Sequence, residues 1–233
     1  MLICFKQFKN NDSIEKWKKI INVKFIEFDD SNQENDFDIG SYFRIANRYN
    51  DRHILFLNSH TRPNTDNWLK IFANHFQEKS ILGATASMSS LSSQFLNFFY
   101  YQHSKFQQLR WGLKHLIRVS LFPNPHIRTT AFFLLAKDLI ELNYDTTKLT
   151  DKIETNYFEG GRSGLSNKLK KRGFDLILVN SDNKSFKINE WVNSETFCLG
   201  NQKKLVFIDN RTEEYSNSSD KEKLKRTKFC WGI

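Results

Sequence analysis

The sequence predicts an α/β domain: a mostly parallel central sheet flanked by helices. Three observations carry this expectation. The chain opens strand–helix–strand. The segment His53–Leu57 (HILFL) is a continuous apolar run stopped by polar residues, as expected of a strand buried on both faces. A second such run, FDLILV at 174–179, follows a helical segment that ends at Gly173. Strands that alternate with helices along the chain read as crossover units around a parallel sheet.

Residues 2–8 (LICFKQF) read as a strand, and Asp12 or Ser13 can cap a helix with Ile14, Trp17, Ile20 and Ile21 on one face. Residues 23–28 (VKFIEF) alternate as a second strand, and an acidic loop follows. Residues 40–49, with Tyr42, Phe43, Ile45, Ala46 and Tyr49, read as a helix. The strand His53–Leu57 ends in the polar loop Asn58-Ser59-His60-Thr61-Arg62-Pro63, and a helix is expected over 66–77. In open α/β sheets ligands sit at the carboxyl ends of strands, so this loop is a candidate site. Residues 81–87 are weakly strand-like. From 92 to 121, Phe95, Phe98, Phe99, Phe106, Leu109, Leu113, Leu116 and Ile117 recur at helical spacing, which predicts one or two amphipathic helices ended by Pro123 and Pro125. A strand at 130–136, a helix at 138–142 and a helix at 165–172 complete the domain. Residues 211–233 are polar and charged and read as a C-terminal surface tail.

The 233 residues fit one domain of 1–210 plus that tail, and 22 phenylalanines supply the bulk for a core. Cys4, Cys198 and Cys230 are few and far apart, as in a reducing compartment. No signal peptide and no run of 18 uncharged apolar residues is visible, so a cytoplasmic protein is expected. There is no C-x₂-C or H-x₃-H pair for zinc, and no G-x-S-x-G elbow around Ser163.

The net charge of +9 is local. Between Lys79 and Lys137 there is no Asp or Glu, while Lys79, Lys105, Arg110, Lys114, Arg118, Arg128 and Lys137 supply seven of the nine charges. Three readings stay open for this stretch: a helical cover for the sheet, an anionic membrane surface met by 92–121, or nucleic acid bound through phosphates and stacked aromatics. No nucleic-acid module accompanies it.

The motifs, taken in order, resemble the GT-A glycosyltransferases, specifically glycosyltransferase family 2, from about residue 2 to residue 180. Asp38-Ile39-Gly40 with Ala46-Asn47 is similar to the family's segment before its central strand. His53 to Pro63 followed by Asn67-Trp68-Leu69 is similar to the strand, the metal-binding motif and the helix after it. Arg128 to Leu135 followed by Lys137-Asp138-Leu139 resembles the acceptor-side strand and helix. Phe158-Glu159, Leu165-Ser166 and Gly173-Phe174 resemble the carboxylate motif, helix and strand that close the catalytic domain.

The resemblance implies a GT-A-like (Rossmann-like) sheet and transfer of a sugar from a nucleotide-sugar to a glycan or lipid-linked acceptor, at the inner face of a membrane in the lipid-linked case. It assigns Asp38, Asn58, Ser59, His60 and Arg62 to the donor, Glu159 to the catalytic base with Glu154 and Asp151 in reserve, and His126, Arg128 and Arg162 to acceptor or phosphate. It implies a divalent cation (Mn²⁺ or Mg²⁺), for which His60 is the candidate ligand because the family's Asp-x-Asp reads Asn58-Ser59-His60 here. The chain also starts at what looks like the family's second strand. Both departures suit a non-catalytic relative that binds a glycan or a partner. From the residues alone, Asn58–His60 reads equally as a capped loop, Asp38 as an N-cap, and the glycine-rich surroundings of Glu159 as a surface turn.

Overall fold

The computed structural model of the chain describes residues 2–6, 25–29, 37–97 and 103–233. The expected helix at 14–21 and most of the acidic loop lie outside the described residues. Strands β1 (Leu2–Lys6) and β2 (Phe25–Asp29) pair in parallel, with Ile3 opposite Ile26. Helix α1 (Phe37–Arg48) leads into β3 (His53–Leu57), the two-residue strand β4 (Arg62–Pro63) and α2 (Trp68–His75). Then come β5 (Ser80–Gly83), β6 (Ala86–Ser87), α3 (Leu91–Leu96), α4 (Lys105–Leu116), β7 (His126–Ile127), β8 (Ala131–Leu135) and α5 (Ala136–Ile140). Helices α6 (Lys152–Gly160) and α7 (Leu165–Lys171), strands β9 (Asp175–Val179), β10 (Ser185–Phe186) and β11 (Phe207–Ile208), and helices α8 (Asn210–Ser216) and α9 (Asp220–Trp231) complete the order.

Among the described residues the central sheet has five strands in the order β10-β9-β5-β8-β3. Within it only β5 and β9 pair in parallel; β8 runs antiparallel to both its neighbours, and β10 is antiparallel to β9. The expectation of a mostly parallel sheet is therefore corrected to a mixed sheet with mostly antiparallel pairings, flanked by helices. The physical reason lies in β8. Its residues Ala131–Leu134 are buried because it sits between β3 and β5 with both faces covered. A continuous apolar run reports burial on two sides, not strand direction.

Successive β8 side chains feed opposite layers, as strand geometry requires. Phe132 and Leu134 join the core beneath α1, α5, α6 and α7, with Phe43, Leu139, Phe158 and Leu169. Ala131 and Phe133 join the opposite layer, with Ile71 and Phe72 of α2 and with Phe207 of β11. The sheet is thus covered on one face by helices α1, α5, α6 and α7 and on the other by α2 with β11.

Among the described residues the 92–121 segment holds two helices, α3 and α4, within the expected one or two. One further expectation changes. The 211–233 segment is not a surface tail over its length. Asp209 caps α8, Ser219 caps α9, and Tyr215, Cys230 and Trp231 are buried in the main core. The Trp231 indole N–H donates to the Phe197 carbonyl at 2.8 Å. Among the described residues no helix is long and apolar enough to cross a membrane.

Candidate functional site

A turn of two threonines between β7 and β8 organises the site. Thr129 donates to Glu159 twice, from its backbone N–H and from its hydroxyl, both at 2.7 Å and both to Oε2. Thr130 faces the other way. Its carbonyl accepts from the Asn58 N–H at 3.0 Å and from the Thr61 hydroxyl at 3.0 Å, and its own hydroxyl donates to Asp209 at 3.0 Å. The turn therefore ties together the β3–β4 loop, the end of α6 and the cap of α8.

Glu159 occupies the last turn of α6 and not a surface turn. The orphan carbonyls at that helix end are satisfied by side chains: Asn124 donates to the Gly160 carbonyl at 2.8 Å and Asn167 to that of Gly161 at 3.0 Å. A Cβ on Gly160 would lie 3.1 Å from His126 Nδ1, so glycine is what lets the helix end approach β7 this closely. Asn124, two residues before His126, also accepts from the imidazole: the His126 Nδ1–H donates to the Asn124 carbonyl at 2.7 Å. That bond sets the tautomer and leaves Nε2 facing Glu159 Oε1 at 3.6 Å. Burial pushes the His126 pKa down, against the opposing pull of Glu159. A lowered pKa favours the uncharged ring, in which Nε2 is an acceptor facing Oε1.

The surrounding cleft has a volume of about 500 Å³ and is lined by Glu159, His126, Arg128, Phe197, Arg211 and Arg226 among others. Arg128 is buried. Its guanidinium stacks 3.8 Å from the Phe197 ring centre and pairs with Asp209 at 3.2 Å. Burial drives the Asp209 pKa up, but Arg128, the Thr212 N–H and the Thr130 hydroxyl outweigh it and hold the carboxyl below its usual value. Arg211 and Arg226 converge on one carboxylate, Glu214, at 3.0 and 3.2 Å. That wall of the cleft keeps one unit of positive charge. Cys198, in a left-handed backbone conformation (φ 55°), is a buried free thiol near Cys230. The neighbouring thiol and burial raise its pKa.

The candidate donor residues form a second cluster beside the first. Ser59 donates to Asp38 Oδ1 at 2.9 Å, joining the start of α1 to the end of β3. Asn58 Oδ1 is engaged by its own turn, accepting from the His60 N–H at 3.0 Å and the Thr61 hydroxyl at 2.7 Å. Arg62 of β4 pairs with Glu213 of α8 at 2.6 Å, and His60 is exposed. Tyr42 stands between the clusters: its hydroxyl reaches the Thr129 carbonyl at 3.4 Å. Burial first, then the charges of Asp38 and Glu159, raise its pKa well above the usual value, so it stays a neutral donor.

Of the residues singled out from the sequence, Glu159, His126 and Arg128 line one cleft, and Asp38, Asn58, Ser59 and His60 adjoin it through Thr130. Arg162 is exposed and does not line the cleft; its backbone N–H donates to the Arg118 carbonyl at 2.7 Å. Glu154 is paired with Arg118 and Asp151 caps α6, so neither faces the cleft as a base. Thr129, Asp209, Arg211, Glu214, Arg226, Cys198 and Cys230 were not anticipated. Thr129 and Thr130 are visible in the RTTAFFLL segment as a polar pair before an apolar run, the one signal that pointed to them.

The donor set does not fit a divalent cation. Hard cations want several carboxylate or carbonyl oxygens. Among the described residues Asp38 is the only carboxylate of the cluster, Asn58 Oδ1 is held by two donors, and no group of three His, Cys, Asp or Glu suited to a metal occurs. No protein-family model, curated protein or solved structure matches this chain.

Proposed function

We propose that the chain is a glycosyltransferase-like protein that moves a sugar from a nucleotide-sugar to a hydroxyl of a glycan or lipid-linked acceptor, with Glu159 as base. The observation that carries this reading is the asymmetry of the Glu159 carboxylate: Oε2 is anchored twice by Thr129, while Oε1 faces the cleft and His126. An acceptor hydroxyl placed there donates its proton to Oε1. Its oxygen then bonds to the anomeric carbon, and the carbon–oxygen bond to the diphosphate breaks, the electron pair leaving with the nucleoside diphosphate. Arg211 with Arg226 offers charge to a phosphate-bearing substrate. The order of motifs from Asp38 to Phe174 supports the same reading. No step is routed through a metal.

One observation favours a second reading, a non-catalytic relative that binds a glycan or a partner. Asn58, where the family resemblance looks for the first metal-binding Asp, spends its side-chain oxygen on capping its own loop.

Thermal-shift titration with UDP-, GDP-, CMP- and dTDP-sugars, with and without Mn²⁺, tests the proposal. A ligand at a hundred times its Kd stabilises by about 2.7 kcal/mol. The transferase reading expects one nucleotide class to raise Tm equally with and without the metal. Absence of a shift with every nucleotide-sugar removes it, and a shift with free glycans alone favours the second reading.

A further inference from the structure

Helix α4 is turned with its apolar stripe outward. Its inward face is made of Gln108, Gly112 and His115, all buried. Phe106, Leu109, Leu113 and Ile117, which recur at steps of three and four residues along the opposite face, are exposed, Phe106 at 76% and Ile117 at 80%. Leu121 and Phe122 extend the exposed apolar surface beyond the helix.

Specific contacts hold this rotation. A Cβ on Gly112 would lie 2.7 Å from the Leu96 side chain, so only glycine allows α3 and α4 to approach on this side. His115 stacks on Phe95 with ring centres 5.1 Å apart, and its Nδ1 meets the Tyr157 hydroxyl of α6 at 2.5 Å. A capping box between Ser104 and Gln107 starts the helix.

We infer that this face docks on an anionic phospholipid surface. The charge pattern selects that occupant. At about 3.6 residues per turn, Lys105 and Lys114 fall on opposite flanks of the stripe that runs from Phe106 to Ile117. Arg110 lies on the same helix, and no acidic residue occurs anywhere from 79 to 137. An apolar stripe flanked by cations, with no acid on the same helix, seats apolar side chains at the acyl boundary and lysines among anionic headgroups.

The docking helix is also joined to the cleft. Arg118, just past α4, pairs with Glu154 of α6 at 2.5 and 2.9 Å and stacks 3.9 Å from the Tyr157 ring centre, and Val119 lines the cleft itself. Docking stands on the α4 face alone. That it brings a lipid-linked acceptor within reach of Glu159 rests on the transferase reading.

Vesicle flotation without any nucleotide-sugar tests docking separately from transfer. The full chain is expected to float with vesicles of phosphatidylcholine mixed with phosphatidylglycerol and not with phosphatidylcholine alone. Replacing Leu113→Glu and Ile117→Glu together is expected to lower the bound fraction more than about tenfold. Each of Lys105→Ala and Lys114→Ala is expected to weaken binding roughly fivefold. All four side chains are exposed, so unchanged circular dichroism and Tm are expected for both sets. Failure of the wild-type chain to bind anionic vesicles at low salt overturns the inference. So does undiminished binding by the Leu113→Glu, Ile117→Glu variant. A self-association in vesicle-free solution that the same variant abolishes assigns the face to a second copy. Displacement from vesicles by an oligonucleotide, with the lysines alone mattering, assigns it to nucleic acid.

Discussion

At the scale of single residues, Thr129 and His126 define what Glu159 can do. Thr129 supplies two donors to one carboxylate oxygen, and hydrogen bonds to a charged group contribute about 1.5–3 kcal/mol each. Thr129→Val removes the hydroxyl donor and keeps the N–H, so a loss of about 1.5–3 kcal/mol in urea unfolding is expected. His126 gives the site a pH signature. Burial lowers its pKa below the ordinary 6.5, and burial likewise lowers that of His115. The unfolded chain therefore takes up protons at these positions more readily than the folded one. Their contribution is fully present above about pH 6.5 and is lost as pH falls from there toward the lower folded-state values. Tm is expected to fall over that acidic window, and His126→Gln to flatten the fall. Asp209, whose pKa is lowered, loses its contribution in a separate window below its ordinary 3.8.

At the scale of elements, direction and rotation were the properties hidden from the sequence. Strands β3, β8 and β9 stand where apolar runs predicted them. Strands β8 and β9 are buried on two faces, whereas β3 lies at the edge of the described sheet with only Phe56 buried. The expectation of a strand buried on both faces does not hold for β3. The reversal of β8 left no trace, since side-chain period and composition are the same in both directions. In α4 the helical spacing of Phe106, Leu109, Leu113 and Ile117 was visible, but the face that it buries was not. Gly112 and His115 decide that, through Leu96 and Tyr157. Gly112→Val would drive a side chain into Leu96 and its backbone N, 3.1 Å from an added Cβ. Overpacking of this kind costs about 1–3 kcal/mol, to be read from the urea midpoint.

At the scale of the whole molecule, the C-terminal segment closes both the core and the cleft. Helix α9, DKEKLKRTKFCW, is charged along most of its length, with an exposed Leu224 and an apolar cluster at its end, so no helical period announced its burial. Yet Trp231 and Cys230 pack in the main core, and Arg211, Glu214 and Arg226 form a wall of the cleft. Trp231→Ala is expected to cost about 3–5 kcal/mol, whereas a surface tail would leave Tm unchanged. The cleft residues legible in advance, Glu159, His126 and Arg128, lie within one stretch of motifs. Asp209, Arg211 and Arg226 reach them from far along the chain, and only the fold brings them near. Arg128 and Asp209 form the buried link between the two parts. Breaking such a pair from one side costs about 3–5 kcal/mol, so Arg128→Met is expected to unfold at a clearly lower urea concentration than the double change with Asp209→Asn.

The most direct test of the account is the release of nucleoside diphosphate by Glu159→Gln, with the nucleotide-sugar that shifts the wild-type Tm. Glutamine preserves the oxygen that Thr129 holds and removes the free basic one. The account predicts an unchanged thermal shift and turnover reduced by about 10²–10⁴-fold. Turnover equal to that of the wild-type chain would contradict it.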